Sequence, residues 1–313
     1  MRGRNIAWVM VIGLLVAMAG AAVAWASQQG ASSSTVPVTF VVSVEANQGK
    51  DVPTIHREDI RAFQGRDRLQ VTEWVPLQGE HAELELYVLL DDGSDPVIGL
   101  QFDDLRQFMN AQPASTAIAV GYMRYGTVNI VQKFTKDHAQ AGKALRLPMG
   151  VSGISASPYL SISDLIKGWP ESPARREIFM ISSGIDPLQP GPNDTYLAEA
   201  INRAQRAGIQ IYTIYASSAG HFGHSFWRIN WGQNNLSQLA EETGGEAYFQ
   251  GFQTPISFTP FLEQFADRLK HQYRLTVLAK PGEKAGYQRI RLETEVPNAA
   301  LVAADRVYVP AAK

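Results

Sequence analysis

Two junctions, far apart in the sequence, constrain the fold of this chain more than any other feature. The apolar run 84–90 continues into the polar loop 91–96, and the run 177–181 continues into 182–187. Such short, nearly continuous apolar runs are typical of strands buried on both faces of a parallel sheet. In these sheets the loops after the strands form the ligand crevice. Both loops contain hydroxyls and a carboxylate beside a glycine, which are groups suited to a hard cation.

The chain from 84 to 271 alternates between strand and helix patterns. In the helix predicted at 194–207, for example, Leu197, Ile201 and Ala204 occupy one face, and Gly208 ends the helix. We predict an α/β fold, with a doubly wound, mostly parallel sheet and helices on both faces. Predicted helices are 98–110, 160–169, 194–207, 235–243 and 259–271. Predicted strands are 84–90, 116–123, 127–134, 177–181, 209–216 and 246–250.

The two flanks, 36–80 and 272–310, have β patterns without helices. Alternation of apolar and more polar residues begins at Val36 and returns after His271. Each flank has too few strands to be stable alone. We therefore predict that the flanks pair into one β-sandwich-like module and that the α/β domain 84–271 is inserted within it or flanked by it.

The N-terminal residues 1–26 have the pattern of a signal peptide. Arg2 and Arg4 precede an apolar stretch that ends in the small-residue sequence 22–26. We expect cleavage, a tether at 27–35, and an exported protein that is periplasmic or secreted. An uncleaved inner-membrane anchor is the alternative, since about twenty apolar residues also span a bilayer. The chain contains no cysteine, so it forms no disulfide.

Net charge and missing motifs argue against two classes of function, nucleic-acid binding and catalysis. The formal net charge of −2 does not suit nucleic-acid binding, for which a basic stripe is expected. The sequence has no G-x-S-x-G elbow, H-E-x-x-H, P-loop or G-x-G-x-x-G after a strand. We therefore predict a protein that is not an enzyme. An envelope hydrolase using Ser183, His224 and Asp92 stays open as an alternative, because only geometry decides such a set.

Five short segments carry a resemblance to a known family. The segments are 52–54 with 58–60, 90–92, 175–178, 239–245 and 271–275. On them the stretch 36–310 resembles the von Willebrand factor type A-related exported proteins of the acidobacterial type. The resemblance implies export and a von Willebrand A-like domain at 84–271, and it implies no reaction.

The wider type A fold binds Mg²⁺ or a similar cation through three loops, which are degenerate here. The first loop pattern, D-x-S-x-S, is met by Asp92 and Ser94, but Pro96 stands third. The second loop should supply a threonine and offers Ser155 or Ser157. The third should supply an aspartate before glycine and has Ser183, with Asp186 nearby. We expect no cofactor, with Mg²⁺ or Ca²⁺ as the alternative. Asp92 and Ser94 could instead hold their loop through backbone amides.

The segment 216–234 is predicted to be a long aromatic loop at the same sheet end. Together with Asp95 it supplies the candidate partner-binding residues, which are His221, His224, Trp227, Arg228 and Trp231. Two histidines alone are too few for a transition-metal site. Either the indoles form an interface, or they fold inward as a lid.

These residues predict an exported non-catalytic binding or scaffold protein. Its partner would be a protein or an envelope polymer, and we expect no nucleic-acid partner. The protein would contact the membrane only through an uncleaved N-terminal segment. A cation-dependent adhesion module with a site at the same face is a further alternative.

Overall fold

The structure is a computed structural model that describes residues 35–311. The predicted signal peptide, and the tether apart from Thr35, lie outside the described residues. Within 35–311 no helix has the length and apolar character needed to cross a membrane. The α-helices of this part are α1 Phe102–Asn110, α2 His138–Lys143, α3 Pro158–Gly168, α4 Thr195–Ala207, α5 Phe226–Thr243 and α6 Thr259–Lys270.

The strands of residues 35–311 form two six-stranded sheets and a two-stranded one. They are β1 Val36–Ala46, β2 Ile60–Gln64, β3 Asp67–Pro76, β4 Leu84–Asp91, β5 Thr116–Arg124, β6 Thr127–Thr135, β7 Arg175–Ser182, β8 Gln210–Tyr215, β9 Ala247–Tyr248, β10 Gln272–Ala279, β11 Gly286–Gln288, β12 Ile290–Thr294, β13 Ala299–Ala303 and β14 Val307–Val309.

The central sheet has the strand order β6-β5-β4-β7-β8-β9. Its neighbours pair in parallel except β6, which is antiparallel to β5. The chain enters in the middle at β4, moves to one edge, and then returns to build the other half. This reversal of direction defines a doubly wound sheet. The predicted α/β fold class, with a doubly wound, mostly parallel sheet, is therefore confirmed.

Helices cover both faces of this sheet, so its strands are apolar on both sides. Successive side chains of a strand point to opposite faces. Val88 accordingly packs with Leu105 of α1 and Phe265 of α6, whereas Leu89 packs with Ile162 of α3 and residues of α4 and α5. This double burial explains the continuous apolar run 84–90.

The second six-stranded sheet joins the two ends of the described chain. β1 pairs antiparallel with β10, beginning with Val36 opposite Ala279, and also with β13. The full order is β12-β2-β3-β10-β1-β13, so strands of both predicted flanks share one sheet. β11 and β14 form the separate two-stranded sheet. The domain boundaries themselves stay a prediction.

The predicted loop 216–234 is wrong in its second half. Helix α5 begins at Phe226 rather than 235, and Ile229, Leu236 and Leu239 pack in the core. The aromatic residues and Gly232 obscured the helical period in the sequence. A ten-residue connection, 216–225, therefore carries His221 and His224, while the two tryptophans lie on a helix.

Other elements differ at shorter range. A 3-10 turn, Pro96–Gln101, precedes α1, which therefore begins four residues after the predicted start at 98. Helix α2 and strand β13 were not predicted. Both have only five or six residues, which is too short for a periodic signal.

Candidate functional site

Three connections are hydrogen-bonded to one another at the carboxyl end of the central sheet. The amide of Asp95 donates to the carbonyl of Ser217 (2.8 Å), and the amide of Ala219 donates to the carbonyl of Gly93 (2.9 Å). The amide of Gly150 donates to the carbonyl of Asp92 (3.1 Å). These bonds join the loops after β4 and β8 to the segment before α3. The predicted meeting of the loops at one sheet end is thus observed.

Asp91, the last residue of β4, lies at the centre of these loops. Its carboxylate accepts hydrogen bonds from the amide of Gly93 (2.7 Å) and the hydroxyl of Ser182 (2.8 Å). Burial raises the pKa of Asp91, while the bonds from Gly93, Ser182 and Ser155 oppose that shift. Asp91, rather than the predicted Asp92, is therefore the carboxylate at the centre of the loops. Neutral hydrogen-bond donors already surround it.

Asp92 is fully buried, and its carboxylate faces Arg146 instead. The guanidinium donates two hydrogen bonds to it, of 2.7 and 2.9 Å, and lies over the Tyr122 ring at 3.7 Å from its centroid. The bond to Asp92 raises the pKa of Arg146. The amide of Met149 adds a bond of 3.3 Å to Asp92. The Arg146 guanidinium thus neutralises Asp92.

Ser94 and Ser183 also serve the loops locally. The amide of Ser94 donates to the Asp91 carbonyl (3.0 Å), and its buried hydroxyl has no hydrogen-bond partner in the described part of the chain. The hydroxyl of Ser183 accepts from the amide of Ile185 (3.4 Å). Neither serine shares a carboxylate with the other predicted ligands.

Ser157 and Asp186 do come together, in a second buried polar cluster. The Ser157 hydroxyl donates to Asp186 and caps α3 by accepting from the amide of Leu160. The other Asp186 oxygen accepts from the amides of Leu188 (2.7 Å) and Gln189 (3.1 Å). These bonds fix the loop that follows β7 against the start of α3.

Asp194 adds a second carboxyl to this cluster. It caps α4 by accepting from the amides of Tyr196 (2.9 Å) and Leu197 (3.0 Å). Burial raises the pKa of Asp194 to about 6, opposed by the Leu197 amide and reinforced by the neighbouring Asp186. Nothing in the local sequence shows that Asp194 meets another carboxyl, because Asp186 approaches it only in the fold.

These residues do not fit a hard cation. Such an ion takes about six oxygen ligands with carboxylates among them. Asp91 is occupied by hydroxyl and amide donors, and Asp92 by a guanidinium. Across residues 35–311 no three His, Asp or Glu side chains are grouped to hold a metal.

Two glycines position helix α5 over the loop that follows β7. Gly184 has a φ of +67°, and a Cβ there would lie 2.3 Å from the carbonyl oxygen of Gly232. A Cβ on Gly232 would lie 2.2 Å from the carbonyl oxygen of Ser183. Only glycine permits this approach of the helix to the loop. Trp231 consequently stands beside Asp186, whereas Trp227 lies one turn earlier.

Of the two alternatives, interface or lid, Trp227 does not fold inward as a lid, because its exposed fraction is 69%. Its neighbour Phe226 is 55% exposed, with its ring 5.8 Å from the Trp227 ring and 5.3 Å from that of Phe252 between centroids. Trp231 is half-buried and partly covers the loop. The two indoles therefore have different surroundings.

The remaining candidates line the same face. His221 and His224 are exposed in the 3-10 turn Gly220–His224, and the Arg228 guanidinium lies 4.3 Å from the centroid of the Phe222 ring. Asp95 is half-buried and caps the amide of Val97 (2.9 Å).

The imagined catalytic set is not assembled in the described residues. The carboxylate of Asp92 faces Arg146 rather than an imidazole. The Ser183 hydroxyl bonds a backbone amide, and His224 is exposed on the 3-10 turn. A nucleophile and its base need hydrogen-bond reach, which this arrangement does not provide.

Exposed apolar side chains concentrate at this end of the sheet. A sequence pattern did not reveal them, because they are spread over four connections and the first turn of α5, which meet only in the fold. They are Val97, Leu100, Leu147, Met149, Val151, Leu188, Phe226, Trp227, Phe249, Phe252 and Ile256. Together they define the loop face.

No family model and no curated protein matches the chain. Among solved structures it is similar to the conserved hypothetical protein BatB from Bacteroides thetaiotaomicron, at 10% identity and a TM-score of 0.43, over 59% of this chain and 97% of that one. The ArnB paralog VWA2 from Sulfolobus acidocaldarius gives 10% identity and a TM-score of 0.39, over 88% and 76%. An aerotolerance-related membrane protein from Bacteroides fragilis NCTC 9343 gives 13% and 0.40, over 59% and 98%. Likeness at this level carries no argument about function.

Proposed function

We propose that this protein is an exported, non-catalytic binding protein whose loop face holds a protein partner. The observation that carries the proposal is the apolar character of that face, with Trp227 and Phe226 largely in solvent. Contiguous exposed apolar patches mark interaction sites in soluble proteins. Export rests on the sequence pattern of residues 1–26.

The composition of the face supports a protein partner. Tryptophan, phenylalanine, methionine and arginine are enriched in interface cores, and Trp and Arg often dominate the binding energy. Trp227, Phe226, Met149 and Arg228 supply these residue types. Polar groups at the rim, including His221 and His224, would add specificity.

The internal bonding of the strand-end loops supports binding without a cation. Arg146 neutralises Asp92, and Asp91 is held by hydroxyl and amide donors. The loops are thus fixed before a partner arrives, and a preorganised surface loses less entropy on binding.

Site-specific photo-crosslinking tests the proposal. A photoreactive phenylalanine analogue replaces Trp227 in one variant and Ile130 in another, and each mature chain is incubated with an envelope extract. Ile130 is exposed on β6, outside the loop face, and serves as the matched control. We expect a discrete crosslinked protein from position 227 and none from position 130.

A double alanine variant supplies the second measurement. Phe226→Ala with Trp227→Ala should abolish binding of the captured partner and leave the melting temperature nearly unchanged, because both rings are exposed. Ile130→Ala with Val131→Ala should leave both properties unchanged. Equal crosslinking from both positions would contradict the proposal, and a product sensitive to glycosidases but not proteases would identify a polymer partner instead.

A further inference from the structure

A groove runs between α1 and α6 on one side of the central sheet, and it contains a cavity of about 600 Å³. This volume lies within the roughly 300–1,000 Å³ of typical ligand sites. Its buried apolar floor consists of Leu84, Phe108, Leu262 and Leu269. Ala111 and Ala266 stand in the walls, and their small side chains leave the space open.

The two helices that form the groove run in the same direction. Asp104, in the first turn of α1, accepts hydrogen bonds from the amides of Phe258 (2.8 Å) and Thr259 (3.2 Å) at the start of α6. Both N-termini therefore lie at one end of the groove and both C-termini at the other. A third helix lying antiparallel would place its dipole opposite to both.

The rims of the groove carry opposite charges at the two ends. Asp104 and Glu263 line the end at the helix N-termini, whereas Lys270 lines the other, above the buried Arg175, which pairs with Glu177. Glu263 and Lys270 are exposed, and neither makes an ion pair within residues 35–311. Charge of this polarity is available to an incoming partner.

We propose that the groove binds an amphipathic helix of a partner protein, antiparallel to α1 and α6. Helix α6 spans twelve residues, so about three turns of a partner fit alongside it. Apolar side chains at i, i+3, i+4 and i+7 of that helix would fill the floor. Acidic residues in its first turn would meet Lys270, and basic residues in its last turn would meet Glu263 and Asp104.

The test uses two synthetic helices of identical composition. Each has leucines along one face and a hydrocarbon staple on the other, so that their helix contents are equal. One carries glutamates in the first turn and lysines in the last, and the other has these positions exchanged. By fluorescence anisotropy we expect the first to bind about tenfold more tightly, since its end charges are opposite in sign to Lys270 and Glu263, whereas those of the second peptide repel them.

Variants of the intact mature protein locate the binding site. Ala266→Phe fills the groove and should weaken binding at least about tenfold, whereas Gln264→Phe, on the exposed face of the same helix, should not. Glu263→Lys combined with Lys270→Glu should reverse the preference between the two peptides. This surface pair avoids the core, so it remains informative if Ala266→Phe fails to fold.

Several outcomes would overturn the assignment. Equal affinity for the two peptides would show that the charges at the groove ends do not set the orientation. Full binding by a folded Ala266→Phe variant would show that the peptides bind outside the groove. Binding of laurate with neither peptide bound would indicate a small amphiphile as the ligand. A dimer that Ala266→Phe dissociates would identify a second copy of the chain. None of these outcomes bears on the loop face, which is tested separately.

Discussion

Replacing Asp194 with asparagine should change how the stability of this protein depends on pH. Asp194 caps α4 and lies against Asp186 in a buried cluster, where burial raises its pKa to about 6. Asparagine is as good an N-cap as aspartate. The substitution therefore keeps the cap and removes the titrating charge.

The sign and size follow from the difference in pKa between the two states. The unfolded value is about 3.9, so between about pH 4 and 6 the folded protein binds more protons than the unfolded chain. The free energy of unfolding therefore falls as pH rises through this window. A shift of about two units corresponds to at most about 3 kcal/mol. Partial solvent access and the favourable helix dipole reduce this to about 1–2 kcal/mol.

Urea denaturation followed by circular dichroism measures the effect. Between pH 4.5 and 7.5 the wild type should lose about 1–2 kcal/mol relative to Asp194→Asn. Asp137→Asn, at the exposed N-cap of α2, is the control and should follow the wild type. Parallel profiles for wild type and Asp194→Asn would refute the reasoning, because the buried carboxyl pair would then make no contribution to the slope.

Arg146→Ala should lower the free energy of unfolding by about 2–3 kcal/mol, because it leaves the buried Asp92 charge unpaired. In an Asp92→Asn background the same change should cost much less, and urea denaturation of all four proteins gives the coupling. Millimolar Mg²⁺ or Ca²⁺ should leave the melting temperature unchanged, because a ligand stabilises the folded protein only when its concentration is near or above its Kd. A rise in melting temperature that Asp91→Asn removes would show that the loops do bind a cation. Trp231→Ala should destabilise the protein by about 1–3 kcal/mol, and the exposed Trp227→Ala by less than about 0.5, as measured by urea denaturation.

Local sequence was enough to identify the central sheet. The runs 84–90 and 177–181 are apolar at every step because their strands are covered on both faces. The helix at 194–207 was equally clear, since its apolar face, its capping aspartate and Gly208 all lie within one short segment. Helix α5 was the exception. Gly232 and the aromatic residues are placed for packing against the loop, so they interrupt the apolar spacing that identifies a helix in a sequence.

The site depended on contacts that no local pattern contains. Asp91 and Asp92 are adjacent, yet their side chains point to opposite sides of the strand end, so one meets Ser182 and the other Arg146. A shift of one residue in the strand end would exchange their roles. The sequence could thus place a carboxylate in this loop, but it could not show whether Asp91 or Asp92 lies at the centre of the site.

What the sequence determined by itself was the class of structure: an α/β sheet with polar loops after its strands, because burial periodicity is local. What only the tertiary structure decided was how those polar groups are satisfied. Arg146 lies 54 residues from Asp92, and Ser157 lies 29 from Asp186, so these partners meet only after the sheet has formed. A buried charge must find a partner wherever the fold brings one close. Here the fold brings a guanidinium to Asp92, and exposes the apolar face beside it.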